Sequence, residues 1–200
     1  MVLGVTGGIA TGKSSVVAKF SELGAACLSA DDIARAAVAP GSEALSQLAA
    51  CFGTAVLQAD GSLNRTALGQ IVFADAAARK KLDQITHPAI ARLAEAAIAD
   101  LRNAGHALIV YEAPLLFEAG AESRVDQILV VSTEPDIQLQ RLMQRDGINH
   151  DAAQARIRAQ MPLAEKISRA DYLIDNSDSP AETGRQVEAL YLLLADSNPG

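Results

Sequence analysis

Residues Gly7-Gly8-Ile9-Ala10-Thr11-Gly12-Lys13-Ser14 decide how this chain folds. They fit the pattern G-x-x-x-x-G-K-[ST] at every fixed position. Such a segment needs a strand before it and a helix after it, and the sequence supplies both. Met1-Val2-Leu3-Gly4-Val5-Thr6 is a short, β-branched apolar run that predicts a buried strand. Behind the segment, Val16, Val17, Phe20 and Leu23 recur at helical spacing over 14–23, and Gly24 suits the C-terminal cap. Glycines let backbone N–H groups turn toward phosphate oxygens. The following helix N-terminus adds its positive dipole end. In this reading Gly8, Ile9, Ala10, Thr11, Gly12, Lys13, Ser14 and Ser15 form a nucleotide cradle, with Lys13 on the β/γ-phosphates and Ser14 on Mg²⁺. A Gly-rich turn that binds nothing has no need of Lys-Ser after its last glycine.

Four more short apolar runs follow: 25–29, 107–111, 127–131 and 172–174. Continuous apolar strands separated by helical patterns predict a parallel sheet covered on both faces. The spacing is uneven. Residues 32–105 carry mostly helical pattern, broken at Pro40-Gly41, Asp60-Gly61 and His87-Pro88, and 135–170 carry more, broken at Asp146-Gly147 and Pro162. Both gaps exceed what a simple crossover needs. The expected architecture is therefore α/β, a P-loop NTPase core with a five-stranded parallel sheet and two helical insertions. The core takes 1–31, 106–135 and 170–200; the insertions are 32–105 and 136–169. A last amphipathic helix is expected over 180–194, with fraying at Ser197–Gly200.

The chain has 200 residues, 17 Lys plus Arg, 24 Asp plus Glu, and a formal net charge of −7. A net-acidic chain without a dense basic stretch is a poor nucleic-acid binder, because phosphate neutralisation needs clustered Lys and Arg. Hydrophobic residues make up 50%, too many for a disordered chain. Cys27 and Cys51 are too few for a disulfide framework. No apolar run reaches the roughly 18 residues of a membrane span, and no basic-plus-apolar leader opens the sequence. The expectation is a cytoplasmic protein, with oligomeric state left open.

A phosphate loop implies nucleotide binding, not a reaction. The chain has no Asn-Lys-x-Asp for a guanine base, and no apolar run ending in Asp-Glu of the motor-ATPase kind. A small kinase remains, and it needs an acceptor site and a lid. Asp31, after the second strand, opens toward the ligand crevice of a doubly wound sheet. It either accepts the proton of a substrate hydroxyl or caps the helix that follows. Glu112, at the end of the third strand, either meets Mg²⁺ or its waters, or is a surface residue. Leu115, Leu116 and Phe117 either line a pocket or pack in the core, and His87-Pro88 reads as a turn. From 141 to 169 stand Arg141, Arg145, Arg156, Arg158, Lys166 and Arg169 against Asp146, Asp151 and Glu165, a local balance of +3 that leaves −10 elsewhere. A mobile basic hairpin suits a lid over a triphosphate; a solvated helix face is the alternative.

Taken in order, these residues resemble the dephospho-coenzyme A kinase family over nearly the whole chain. The resemblance rests on Thr6-Gly7-Gly8-Ile9 with Gly12-Lys13-Ser14, Ala30-Asp31 with Ala34-Arg35, Pro40-Gly41, Phe52-Gly53 and Gly61-Ser62-Leu63 with Arg65. It continues through His87-Pro88, Pro114-Leu115-Leu116-Phe117-Glu118, Gln138 with Arg141 and Arg145, Arg156 with Gln160-Met161-Pro162, and Ala170-Asp171-Tyr172 with Asp175-Asn176. It implies a phosphate-loop core of nucleoside-monophosphate-kinase type, a helical coenzyme-binding insertion and a lid. It implies transfer of the ATP γ-phosphate to the ribose 3′-hydroxyl of dephospho-coenzyme A, with ATP and Mg²⁺. It makes Asp31 the base, Lys13 and Arg141 phosphate contacts, and Asp31, His87, Leu115, Leu116, Phe117 and Glu118 the acceptor side; Ser14 and Glu112 remain the metal candidates. The chain departs from the family pattern in three places: Ala10, Thr11 and Ser15 stand for Gly, Ser and Thr around the loop, Ser29 stands for Asp, and Glu112 for the commoner Asp.

Overall fold

In the computed structural model, which describes residues 1–196, the five expected strands form one all-parallel sheet. They are β1 (Val2–Gly7), β2 (Ala26–Ser29), β3 (Ile109–Glu112), β4 (Gln127–Ser132) and β5 (Tyr172–Asp175), in the order β2-β3-β1-β4-β5. Ser197–Gly200, expected to fray, lie outside the described residues. β1 is central. Val5 pairs with Glu112 of β3 on one side and with Leu129 of β4 on the other, while Ser29 of β2 is level with Glu112. Successive elements leave β1 in opposite directions across the sheet, so its C-terminal end is the switch point where α/β sheets bind ligands.

The nine α-helices of the described residues are α1 (Lys13–Glu22), α2 (Ala30–Ala37), α3 (Glu43–Phe52), α4 (Arg65–Ala74), α5 (Ala76–Asn103), α6 (Pro135–Asp146), α7 (His150–Arg158), α8 (Leu163–Ser168) and α9 (Pro180–Asp196). Local chemistry sets several of their ends. The side chains of Ser42, Asn64 and Asn149 accept from the N–H groups of Leu45, Ala67 and Ala152, capping α3, α4 and α7. Pro135 opens α6, and Gly147, at φ 63°, stops it.

The expected break at His87-Pro88 is absent. α5 runs through it, with Pro88 inside the helix. Proline removes one hydrogen bond, the one to the carbonyl four residues back. Ile85, Ala89 and Ile90 pack on an apolar cluster on both sides of it, which holds the helix on course. α2 also starts earlier than its apolar pattern suggests, at Ala30.

The chain divides into two compact units, Met1–Ser29 with Ile98–Gly200, and Ala30–Ala97. Residues 136–169, read above as a lid, fall in the first. In the first unit alternate residues Leu3, Val5, Val110, Leu129 and Val131 face one layer and pack on Val16 and Phe20 of α1 and Val187, Leu190 and Leu194 of α9. Val2, Ile109, Tyr111 and Val130, on the opposite register, are also fully or almost fully buried. That two-sided burial is why these strands read as unbroken apolar runs. In the second unit Leu45, Leu48, Val56, Leu63 and Leu68 make a separate core. Among the described residues no helix is long and apolar enough to cross a membrane.

Candidate active site

The loop leaves β1 at Gly7 and enters α1 at Lys13. Its glycines are demanded by neighbours as well as by backbone freedom. A Cβ on Gly8 would stand 2.5 Å from Gln138 Nε2; one on Gly12, at φ 88°, would stand 2.0 Å from Asn176 Nδ2. Ala10 lies at φ 60°, the one non-glycine with positive φ among the described residues. This is where the family pattern carries glycine, and an L-residue there costs about 1 kcal/mol or somewhat more.

Side chains from far along the chain hold the loop. Gln138 Nε2, on α6, donates to the Ile9 carbonyl at 2.8 Å, and Gln160 Oε1 accepts from the Ile9 N–H at 2.8 Å. Asn176, just beyond β5, donates to the Thr11 carbonyl at 2.8 Å and accepts from the hydroxyl of Thr183 on α9 at 2.8 Å. Arg141 donates to the Asn176 carbonyl at 3.0 Å. Gln138, Asn176 and Thr183 are all buried. Sequence reading gave these residues no role. The available signal was a polar residue in an apolar helical register: Gln138 four before Leu142, and Thr183 four before Val187.

Lys13 and Ser14 lie where the motif requires. Lys13 Nζ is buried and donates to the Gly7 and Gly8 carbonyls at 3.2 and 2.6 Å. Ser14 Oγ donates to Glu112 Oε1 at 3.3 Å, so a hydroxyl and a carboxylate stand together beside the loop. Two hard oxygen donors suit Mg²⁺, which takes one or two protein ligands and keeps waters and phosphate oxygens for the rest. A cavity of about 400 Å³ opens beside the helix start, lined by Gly12, Ser15, Lys19, Arg141, Asn176, Pro180 and Thr183 among others.

The Pro114–Glu118 block is placed differently from the acceptor-lining expectation. Leu116 and Phe117 are core side chains, at 0% and 6% exposure; of the three apolar residues Leu115 to Phe117 it is Leu115, at 49%, that is exposed. Glu118 is engaged at both oxygens. One accepts from the Met161 N–H at 3.1 Å, and Lys166 Nζ lies 2.9 to 3.1 Å from the two. Lys166 is fully buried and also donates to the Pro114 carbonyl at 2.9 Å. Burial pushes the Glu118 carboxyl up, but Lys166 and the backbone donors prevail and hold it below its ordinary value. The Arg169 guanidinium lies over the Phe117 ring, 4.3 Å from its centre. On α6, Asp146 pairs with Arg145 and with Arg156 of α7; the Arg145 bond first, and Arg156 after it, hold its carboxyl below the ordinary value.

In the second unit Asp31 stands exposed in the first turn of α2, and its neighbour Asp32 pairs with Arg35 at 2.6 Å. His87, 52% exposed, lies 3.6 Å from Asp83 one turn back on α5. This unit has a polar cleft of about 430 Å³, lined by Arg35, Gln58, Asn64 and Arg65 among others. A more apolar one of about 270 Å³, with Leu48, Leu68, Val72 and Ile90, shares Val38, Leu63 and Arg65 with it.

The model of the dephospho-CoA kinase family matches residues 1–182. A dephospho-CoA kinase of Syntrophotalea carbinolica is 52% identical over 200 residues, 100% of this chain and 95% of that protein. One of Geobacter sulfurreducens is 47% identical over 190 residues, 95% and 96% of the two chains. The solved dephospho-CoA kinase of Campylobacter jejuni superposes with a TM-score of 0.77 at 31% identity, covering 98% of each chain. Shikimate kinase of Bacteroides thetaiotaomicron, at 13% identity and a TM-score of 0.55 over 97% of this chain and 98% of that one, shares the fold alone. A phosphate loop at the switch point of this sheet, and matches of this length and identity, make the chain a kinase belonging to the dephospho-CoA kinase family.

Proposed function

We propose that the protein transfers the γ-phosphoryl group of ATP to the ribose 3′-hydroxyl of dephospho-coenzyme A, giving coenzyme A. The observation that supports this most is the phosphate loop with Lys13 buried inside it and the Ser14–Glu112 oxygen pair at its edge. The loop amides and Lys13 bind the phosphates. The cavity bounded by Arg141, Asn176 and Pro180 has the size and edge-on polar groups to take the nucleoside end of ATP. Arg141 spends one N–H on Asn176, and a guanidinium has five, so it keeps donors for phosphate oxygens. Ser14 would hold Mg²⁺, with Glu112 direct or through a water. The ion supplies neutralisation of charge on the transferring oxygens.

Asp31 takes the proton of the attacking hydroxyl. Phosphoryl transfer demands mainly positioning and electrostatic stabilisation, so a carboxylate that also orients the acceptor is enough. The two clefts of the second unit suit the rest of the acceptor. The apolar one fits an alkyl-amide arm, and Arg35 and Arg65 in the polar one fit a pyrophosphate. Of the apolar residues in the Pro114–Glu118 block, Leu115 is exposed to contact it. Incubation with dephospho-coenzyme A and Mg-ATP, followed by mass spectrometry, tests the proposal. The expected product is heavier by one phosphoryl group and carries it at the 3′ position. Phosphorylation of a nucleoside monophosphate in preference, or ATP consumption with no phosphorylated acceptor, refutes it.

A further inference from the structure

Ile9 is held on both sides of its backbone. Gln138 donates to its carbonyl at 2.8 Å and Gln160 accepts its N–H at 2.8 Å. The two glutamines are at opposite ends of one excursion of the chain. Gln138 is in the first turns of α6, and Gln160 lies between α7 and α8. Two residues further along the loop, the Thr11 carbonyl is held by Asn176, which Arg141 of the same α6 helix also grips. Between these fixed points stands Ala10, at φ 60°. An alanine left to itself leaves that conformation. Strained backbone persists where surrounding contacts over-determine it.

Gln138 has no slack in this arrangement. It is 5% exposed, and a Cβ on Gly8 would already stand 2.5 Å from its amide nitrogen. Gly8 is thus the residue type that lets the carboxamide approach the loop. The Thr11 hydroxyl also donates to the Gly8 carbonyl, at 3.0 Å.

We infer that Gln138 and Gln160 are a positioning pair: they clamp the peptides before and after Ile9 and so hold Ala10 in the left-handed conformation that shapes the loop for phosphate. Neither glutamine touches the reacting atoms. The pair also joins both ends of the 138–160 excursion to one residue of the loop, so movement at either end is felt at the phosphate site. The inference rests on the loop being the ATP phosphate site, as proposed above.

The test is calorimetric titration of Mg-ATP into the full chain without acceptor, for the wild type, Gln138→Met, Gln160→Met, and each of these combined with Ala10→Gly. Methionine keeps the length and loses the amide. Each single variant is expected to weaken ATP binding by about tenfold, the loss of one hydrogen bond that holds a strained peptide. Ala10→Gly is expected to recover about fivefold of that loss, because glycine needs no clamp to stay left-handed. Stability lost elsewhere in the fold would not be recovered by glycine at this position. Gln160 is only half-buried, so its variant reports even if Gln138→Met folds badly. Wild-type affinity in both methionine variants, or no recovery with glycine, overturns the inference and leaves the kinase reading in place. A wild-type chain that binds no Mg-ATP overturns both.

Discussion

Removing the Glu118 carboxylate is expected to destabilise the protein more than removing the Lys166 ammonium it pairs with. The asymmetry comes from burial: the Lys166 side chain is 0% exposed and that of Glu118 is 23% exposed. In Glu118→Ala the ammonium stays buried with the Pro114 carbonyl as its remaining partner. Breaking a buried pair in this way costs about 3–5 kcal/mol, and the partial exposure of Glu118 favours the lower end. In Lys166→Met the apolar stem is kept. Glu118 retains the Met161 N–H and reaches water, and the Pro114 carbonyl retains the Thr6 hydroxyl at 3.2 Å. What is lost is then about 1 kcal/mol. For a chain of this length each kcal/mol lowers Tm by about 2–4 °C, so the expected drops are about 6–12 °C for Glu118→Ala and about 2–4 °C for Lys166→Met. Urea titration and thermal melts of the two variants and their combination measure this. The double variant should be no worse than Glu118→Ala, because it no longer buries a lone charge. Equal losses in the two single variants, or a double variant that adds their losses in full, would refute the reasoning. Glu118→Gln should also leave the acceptor KM near that of the wild type, as befits a tie within the protein.

Asp31→Asn is expected to lower kcat by about a hundredfold or more while ATP affinity stays the same, measured by steady-state kinetics and nucleotide titration. Gly12→Ala should abolish measurable ATP binding, because the added methyl meets Asn176 Nδ2 at 2.0 Å at a φ of 88°. Finding it to bind like the wild type would show that the loop adapts. Acid should destabilise the fold through Glu118 and Asp146. Both carboxyls titrate below their ordinary values of 4.5 and 3.8, so their stabilisation is present above those values and is lost as pH falls through the lower folded ones. Stability measured against pH should fall less steeply below about pH 4.5 in Glu118→Gln.

The fold was legible because the sheet is buried on both faces. Runs such as Val2–Val5 and Leu129–Val131 have no polar alternation to blur them, and the motif at Gly7–Ser14 fixes where one strand must end. A helix end was legible where a glycine marks it, as at Gly147, whereas the side-chain caps of Ser42, Asn64 and Asn149 were not read. The Pro88 position was not, since a proline signals a break locally while the packing of Ile85, Ala89 and Ile90 is tertiary. Lys13, Ser14 and Glu112 could be placed from sequence, at the start of α1 and the end of β3, because each sits at a fixed offset from a strand end. Gln138, Gln160 and Asn176 act on backbone atoms more than a hundred residues away in sequence, with Thr183 holding the Asn176 amide, and no spacing rule encodes such a partner. Glu118 and Phe117 were ambiguous for a simpler reason: an apolar run beside a carboxylate has the same composition in a pocket wall and in a core.

The hydrogen-bond relay from Thr183 through Asn176 to Thr11 has a consequence for how the protein is made. The loop leaves a ribosome long before its last supports, which come from β5 and α9. β1 likewise finds its neighbours only when residues 109–132 have been synthesised. Contacts of such long range close late. The nucleotide site is therefore begun long before it is completed, and a nascent chain stalled before residue 176 carries the whole motif without the means to shape it.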